Sequence, residues 1–301
     1  MRKHSLYSSF FLSNTKTEYE SCIVTSTSVS TCSDSSASYA SIRSVSKSTA
    51  FISCTWSSCV AGNGGAIYVS TSTIDLELTN CCFSSCEASA HNGGGIYAQP
   101  ARIVHIDSSQ FSECTALYGD GLEDGGGAMW ISNISTEIRI TATNIISCAT
   151  KYDAQGVAVW YSNSTQGHKQ TFYDCRFVNC KGSKGEGGGI IAWDNGYSVG
   201  ISSTLFSCCS NHDGGAFKMN PSTSSQPPFI SFCFFHGNTA ITGNDIFFSS
   251  QPASSLLLQC FSTIPTARIY HGEDSWLPLT NAIIKVFDPI TSTNEIVPCN
   301  S

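Results

Sequence analysis

The feature that most constrains this chain is a repeat. Aligned on Gly64, it carries equivalent glycines at Gly93, Gly126, Gly156, Gly187, Gly214 and Gly243, with spacings from 27 residues (Gly187 to Gly214) to 33 (Gly93 to Gly126). Three residues after each glycine the column is apolar throughout: Ile67, Ile96, Met129, Val159, Ile190, Phe217, Ile246. Upstream lies an aromatic-x-x-Cys element. Its first position runs Trp56, Phe83, Phe111, Ile145, Phe177, Phe206, Phe235, and its last runs Cys59, Cys86, Cys114, Cys148, Cys180, Cys209, Asn238. Five residues before that last position stand Cys54, Cys81, Ser109, Thr143, Cys175, Thr204 and Cys233. Three residues earlier again stand Phe51, Leu78, Ile106, Ile140, Phe172, Ile201 and Ile230. Columns that agree at a fixed period mark a repeat architecture.

Within a unit the pattern has period two. In the second unit, "AIYVS" (Ala66 to Ser70), "IDLEL" (Ile74 to Leu78) and "NCCFSSC" (Asn80 to Cys86) alternate apolar and polar residues, which predicts strand rather than helix. Three strands in about thirty residues cannot bury their apolar side alone. Stacking each strand in parallel on its copy in the next unit solves this, and the product is a parallel β-helix. Seven coils rising about 4.8 Å each give a rod of roughly 35 Å. A propeller is excluded, because its blades need four strands and about 40 residues. The predicted fold class is therefore all-β: a solenoid of about seven coils, each of three strands.

The repeat domain spans residues 49–262. Residues 1–48 are Ser-rich and read as an N-terminal cap or degenerate first coil. Residues 263–301 leave the pattern and read as a C-terminal cap or the start of a further module. The N-terminal "MRKHSLYSSFFLSN" has a basic start but a short, serine-broken apolar part, so it reads as part of a fragment rather than as a cleavable leader.

Each column then receives a role. The glycines Gly64, Gly93, Gly126, Gly156, Gly187, Gly214 and Gly243 are structural: a turn needing positive φ, or close approach between coils. A phosphate-cradling loop would need a helix after it, and none is predicted. The column Cys59, Cys86, Cys114, Cys148, Cys180 and Cys209 is read as an inward ladder of stacked, mostly reduced thiols, since cysteine packs as a small buried hydrophobe. Disulfides within a coil (Cys54 with Cys59, Cys175 with Cys180) or between coils are the alternative. No His recurs beside these cysteines to activate one as a nucleophile.

The residue after each apolar position should point outward. It reads Tyr68, Tyr97, Trp130, Trp160, Ile191, Lys218, Phe247. Four consecutive aromatics would form a stripe able to stack sugar rings or contact a protein. Its bland counterpart is a stabilising cross-coil stack. Before the glycines stand Asn63, Asn92, Asp124, Gln155, Glu186, Asp213 and Thr242, and the densest acidic patch is Asp120, Glu123 and Asp124, with Arg102 and Arg139 on nearby coils. A solvated loop is the reading preferred there over a calcium or catalytic site. Sequons stand at Asn133 and Asn163.

Composition excludes further classes. The net charge is −7 without a basic cluster, which argues against a nucleic-acid partner. No apolar run approaches the ~18 residues of a membrane helix. The 16 cysteines show no pair of Cys-x2-Cys motifs at finger spacing. No catalytic residue, cofactor or metal ligand is assigned.

The "GGAI" of Gly64 to Ile67 and the "FHGN" of Phe235 to Asn238 resemble the GGA[ILV] and FxxN motifs of the polymorphic outer membrane protein repeat family. The resemblance covers about residues 50 to 262, with Cys standing in place of the motif Asn in six units. It implies a right-handed parallel β-helix and a non-enzymatic, adhesin-like role at a cell surface or outside the cell, with a glycan or a surface protein as partner. A carbohydrate-active enzyme on the pectate-lyase-like scaffold (a polysaccharide lyase or glycosidase) is one alternative. A structural spacer in a larger surface protein is another.

Overall fold

A computed structural model describes residues 48–248 apart from 71, 100, 118–124, 133, 152–158, 163–168, 183–190, 195–198, 213, 221–228 and 242–244, and, outside those limits, the backbone of seven strands. All regular structure among the described residues is strand, and apart from the antiparallel pair Ile23–Thr25 and Ser30–Thr31 the strands stack in parallel from coil to coil. The chain is a parallel β-helix.

The alternation read from the sequence sets the coil wall. In Asp75–Thr79, Leu76 and Leu78 are buried while Asp75, Glu77 and Thr79 are half-buried on the outer side. Ile67 and Val69 point inward with Tyr68 between them. Registers follow the sequence columns through most of the rod. Phe51 pairs with Leu78, then Ile106, Ile140, Phe172, Ile201 and Ile230. Trp56 pairs with Phe83, then Phe111, Ile145, Phe177, Phe206 and Phe235.

That second column builds the core. Trp56 and Phe83 stack with centroids 4.6 Å apart, and Phe83 and Phe111 at 4.4 Å. After Ile145 the stack resumes as Phe177–Phe206 at 5.0 Å and Phe206–Phe235 at 5.3 Å. These separations match the inter-strand spacing of about 4.8 Å, so the ring faces lie one coil apart. Burying each such side chain contributes about 1.5–3 kcal/mol.

Three expectations are corrected. Four of the coils have four strand segments where three are expected. The extra one is only two residues long: Val60–Ala61, Glu87–Ala88, Thr115–Ala116 and Ala149–Thr150. Two residues are too few for a period to show in sequence.

The coil count also differs from seven. Four turns carry strands on every side, because the two-residue ladder then thins to isolated bridges at Lys181, Ser210 and Thr239. The sheet that holds Ile67–Val69, in contrast, runs through nine strands from Ser44–Val45 to Ile269–His271.

The third correction is a slip of one residue in the fifth coil. Ile191, not Ile190, pairs with Val159 and Phe217, which places Ala192 beside Trp160 and Lys218. Ile190 and Ile191 are both apolar, so the pattern alone does not choose between them, although one residue of slip exchanges the faces of a strand.

Candidate functional site

The corners of the coil are built by a device that reading for glycines missed. Each position of both cysteine columns is preceded by a left-handed residue. These are Ser53, Ser58, Asn80, Ser85, Ser108, Glu113, Ala142, Ser147, Asp174, Asn179, Ser203, Cys208 and Phe232, with φ between 48° and 55°, and Gly237 at 59°. Ser, Asn and Asp dominate, the side chains that tolerate or hydrogen-bond within turns. The left-handed residue turns the wall, and the next side chain is driven inward.

That inward side chain serves the backbone. Cys81 Sγ donates to the Phe51 carbonyl one coil earlier at 3.3 Å and to Thr79 O at 3.5 Å. Cys86 reaches Trp56 O, Cys175 reaches Ile140 O, Cys180 reaches Ile145 O, Cys209 reaches Phe177 O and Cys233 reaches Ile201 O, at 3.4 to 3.8 Å. Asn238 makes the equivalent contact with its amide, Nδ2 to Phe206 O at 3.1 Å, and accepts from Cys209 N at 3.0 Å. Ser109 and Thr143 donate to the carbonyls of Asp107 and Thr141, each at 2.8 Å. The thiol thus occupies the place of an amide or hydroxyl donor at the corner.

Cys59, Cys86, Cys114, Cys148, Cys180 and Cys209 are all buried thiols, and the described cysteines that are thiols number eleven, of which Cys82 alone is exposed. The Cys114 thiol against it, with burial, pushes Cys86 up to about 12. Burial pushes Cys175 and Cys233 to about 12 as well. Cys81 is raised by the Cys54 thiol and by burial, Cys114 by Cys148, and Cys180 by burial and Cys209. These groups are protonated and inert at neutral pH, the opposite of a catalytic thiolate.

The glycine turns use both devices expected of them. Gly64 and Gly93 have φ of 55° and 72°. A Cβ on Gly65 would stand 2.2 Å from Gly94 O, which is close approach between coils. Gly126 and Gly214 share the positive φ, while Gly156, Gly187 and Gly243 lie outside the described residues. The column before the glycines is a hydrogen-bond ladder where it is described: Asn63 Oδ1 accepts from Asn92 N at 3.1 Å, and Asn92 Oδ1 accepts from Gly125 N at 2.7 Å.

Tyr68, Tyr97, Trp130 and Trp160 are in register from strand to strand, and Tyr68 and Tyr97 lie on the outer side of their sheet. Tyr68 and Tyr97 are half-buried and stack at 5.2 Å. Trp130 departs from the expected open stripe. It is 4% exposed and packs against Tyr97. Gln99 Oε1 accepts from Tyr97 Oη at 2.7 Å and from Trp130 Nε1 at 3.2 Å, which satisfies the buried indole. The Trp160 side chain lies outside the described residues.

On the long outer strands Arg102 Nε donates to Asp75 Oδ1 at 2.7 Å. His105 Nε2 lies 3.1 Å from Glu137 Oε2, and Arg139 is in register with His105. Among the described residues no group of three or more His, Cys, Asp or Glu is arranged to hold a metal. Asp120, Glu123, Asp124 and the two sequon asparagines lie outside the described residues. No described helix is long and apolar enough to cross a membrane.

One buried acid was not singled out in the sequence. Asp245 is 3% exposed and accepts from Asn238 Nδ2 at 3.1 Å; burial raises its carboxyl above the usual range. No family model matches the chain, and no curated protein and no solved structure matches it.

Proposed function

We propose that this β-helix is a non-enzymatic, adhesin-like rod of a cell surface or extracellular setting, which binds a glycan or surface protein through the outer aromatic column. The observation that carries the reading is the Tyr68–Tyr97 pair: two partly exposed rings, stacked at 5.2 Å, on strands whose inward neighbours are fully buried. Aromatics held by a rigid ladder lose little side-chain entropy on binding. The motif resemblance to the polymorphic outer membrane protein repeat points the same way. The burial of Trp130 confines the contact to the Tyr68–Tyr97 end. The test is a glycan array and a cell-adhesion assay with the wild type and a Tyr68→Ala/Tyr97→Ala variant. The reading expects measurable binding that the variant loses at least tenfold with its unfolding midpoint retained. Equal binding by both proteins refutes it.

A spacer role within a larger surface protein is the second reading. It is favoured by parallel pairing that runs without a break from Ser44–Val45 to Ile269–His271 on one side of the rod.

A further inference from the structure

Two chemical kinds of cysteine stand side by side in this fold. Cys209 points inward as a buried thiol, whereas Cys208, at the left-handed corner before it, is disulfide-bonded. We propose that the fold imposes a redox order on its own assembly: the ladder thiols must close into coils while reduced, and disulfide formation is confined to cysteines off the ladder.

The argument begins from geometry in the folded rod. Ladder cysteines of neighbouring coils, such as Cys59, Cys86 and Cys114, occupy parallel, in-register corners about 4.8 Å apart. Their Cα–Cβ bonds run in the same direction, so the Cβ atoms keep that separation. A disulfide needs Cβ atoms about 3.5–4.5 Å apart. Within a coil, Cys54 and Cys59 are separated by the extended strand Thr55–Ser57, Cys81 and Cys86 by Cys82–Ser84, and Cys175 and Cys180 by Arg176–Val178. Three extended residues hold the ends at least about 10 Å apart, beyond the ~7 Å across which a bridge can close. Neighbouring buried thiols such as Cys86 and Cys114 therefore lie against one another in a geometry that does not meet the requirement of a bridge.

The unfolded chain has no such protection. Loops of five residues close with a small entropy cost, and an exposed thiol ionises near its ordinary value. With oxidised glutathione as the oxidant, the Cys54 thiolate attacks one glutathione sulfur and expels a glutathione thiolate. The Cys59 thiolate then attacks the mixed disulfide and expels the second, leaving a Cys54–Cys59 bond and two reduced glutathiones. That bond forbids the strand between the two residues. Oxidation before folding and formation of the ladder exclude each other, while the finished rod resists the same oxidant because its ladder thiols are buried out of its reach. This inference is independent of the proposed binding role.

The experiment dilutes chain denatured in guanidinium and dithiothreitol into buffer containing either dithiothreitol or oxidised glutathione. Native chain is scored by far-UV circular dichroism and protease resistance. The expected result is at least tenfold more native chain under reduction. Folded protein held in oxidised glutathione, then denatured and alkylated, should keep its ladder thiols by mass spectrometry and, among the described thiols, lose only the exposed Cys82. A Cys54→Ser/Cys81→Ser/Cys175→Ser variant removes one member of each five-residue pair, at positions where Ser109, Thr143 and Thr204 already place buried hydroxyls in other coils. It should recover several-fold more native chain than the wild type in oxidised glutathione. Equal wild-type recovery in the two buffers overturns the proposal. So does consumption of ladder thiols in folded protein as fast as in denatured protein, or a variant that folds under reduction but gains nothing in oxidant.

Discussion

Alkaline pH should unfold this rod through its own core. The folded state holds Cys86, Cys175 and Cys233 at about 12, and in the unfolded chain each returns to about 8.5. A thiol is neutral when protonated, so a raised folded value means the native state keeps a proton that the unfolded state releases. The associated stability is fully present below about 8.5 and declines as pH rises toward 12. At pH 10 each unfolded thiol gains about 2 kcal/mol from ionisation, taking 1.36 kcal/mol per pH unit. Three such thiols amount to about 6 kcal/mol, comparable with the whole stability of an ordinary domain, about 5–15 kcal/mol. The assay is urea unfolding between pH 7 and pH 10, with reductant present so that oxidation does not intervene. Lysines and tyrosines also titrate in this range, so the decisive measurement is a difference. A Cys175→Thr/Cys233→Thr variant, copying Thr143 and Thr204 of the same column, should lose about 4 kcal/mol of the pH dependence. A variant whose stability falls with the same slope as the wild type would refute the reasoning.

Three other outcomes are expected. Asp245→Asn should raise the melting temperature at pH 7: burial raises the folded carboxyl, so its stability is present below the unfolded value near 3.9 and fades as pH climbs, and melting curves from pH 4 to 8 should flatten in the variant. Gly93→Ala should cost more than about 2 kcal/mol in urea unfolding, because its φ is 72° and the new Cβ would stand 2.1 Å from Ile96 O. Phe232→Asn should stabilise by about 1 kcal/mol, since Phe232 is 62% exposed and sits at φ 53°, a conformation asparagine adopts more readily; a lower urea midpoint would contradict this.

The wall of the rod was legible because burial imposes a period. The columns beginning at Phe51 and Trp56 match the observed registers through Ile230 and Phe235. The two-residue segments such as Glu87–Ala88 were not legible, because two residues carry no period. The left-handed corners were visible only in retrospect, as the Ser, Asn or Asp that precedes most ladder positions. A serine in a chain rich in serine does not announce its φ. The adjacent isoleucines Ile190 and Ile191 left the fifth coil open to a slip of one residue, which only pairing with Val159 and Phe217 resolved. Within the candidate site, alternation correctly put Tyr68 and Tyr97 between inward residues, but it treated Trp130 as equally open.

By itself the sequence determined that the chain is a stack of parallel coils. Repetition with period-two burial admits few other ways to hide an apolar wall from water. What the tertiary structure decided is how each column is used. Whether a cysteine donates to a carbonyl one coil away, or an outward tryptophan is capped by Gln99, depends on atoms about thirty residues distant in the chain, and a local pattern contains no record of what lies above and below it.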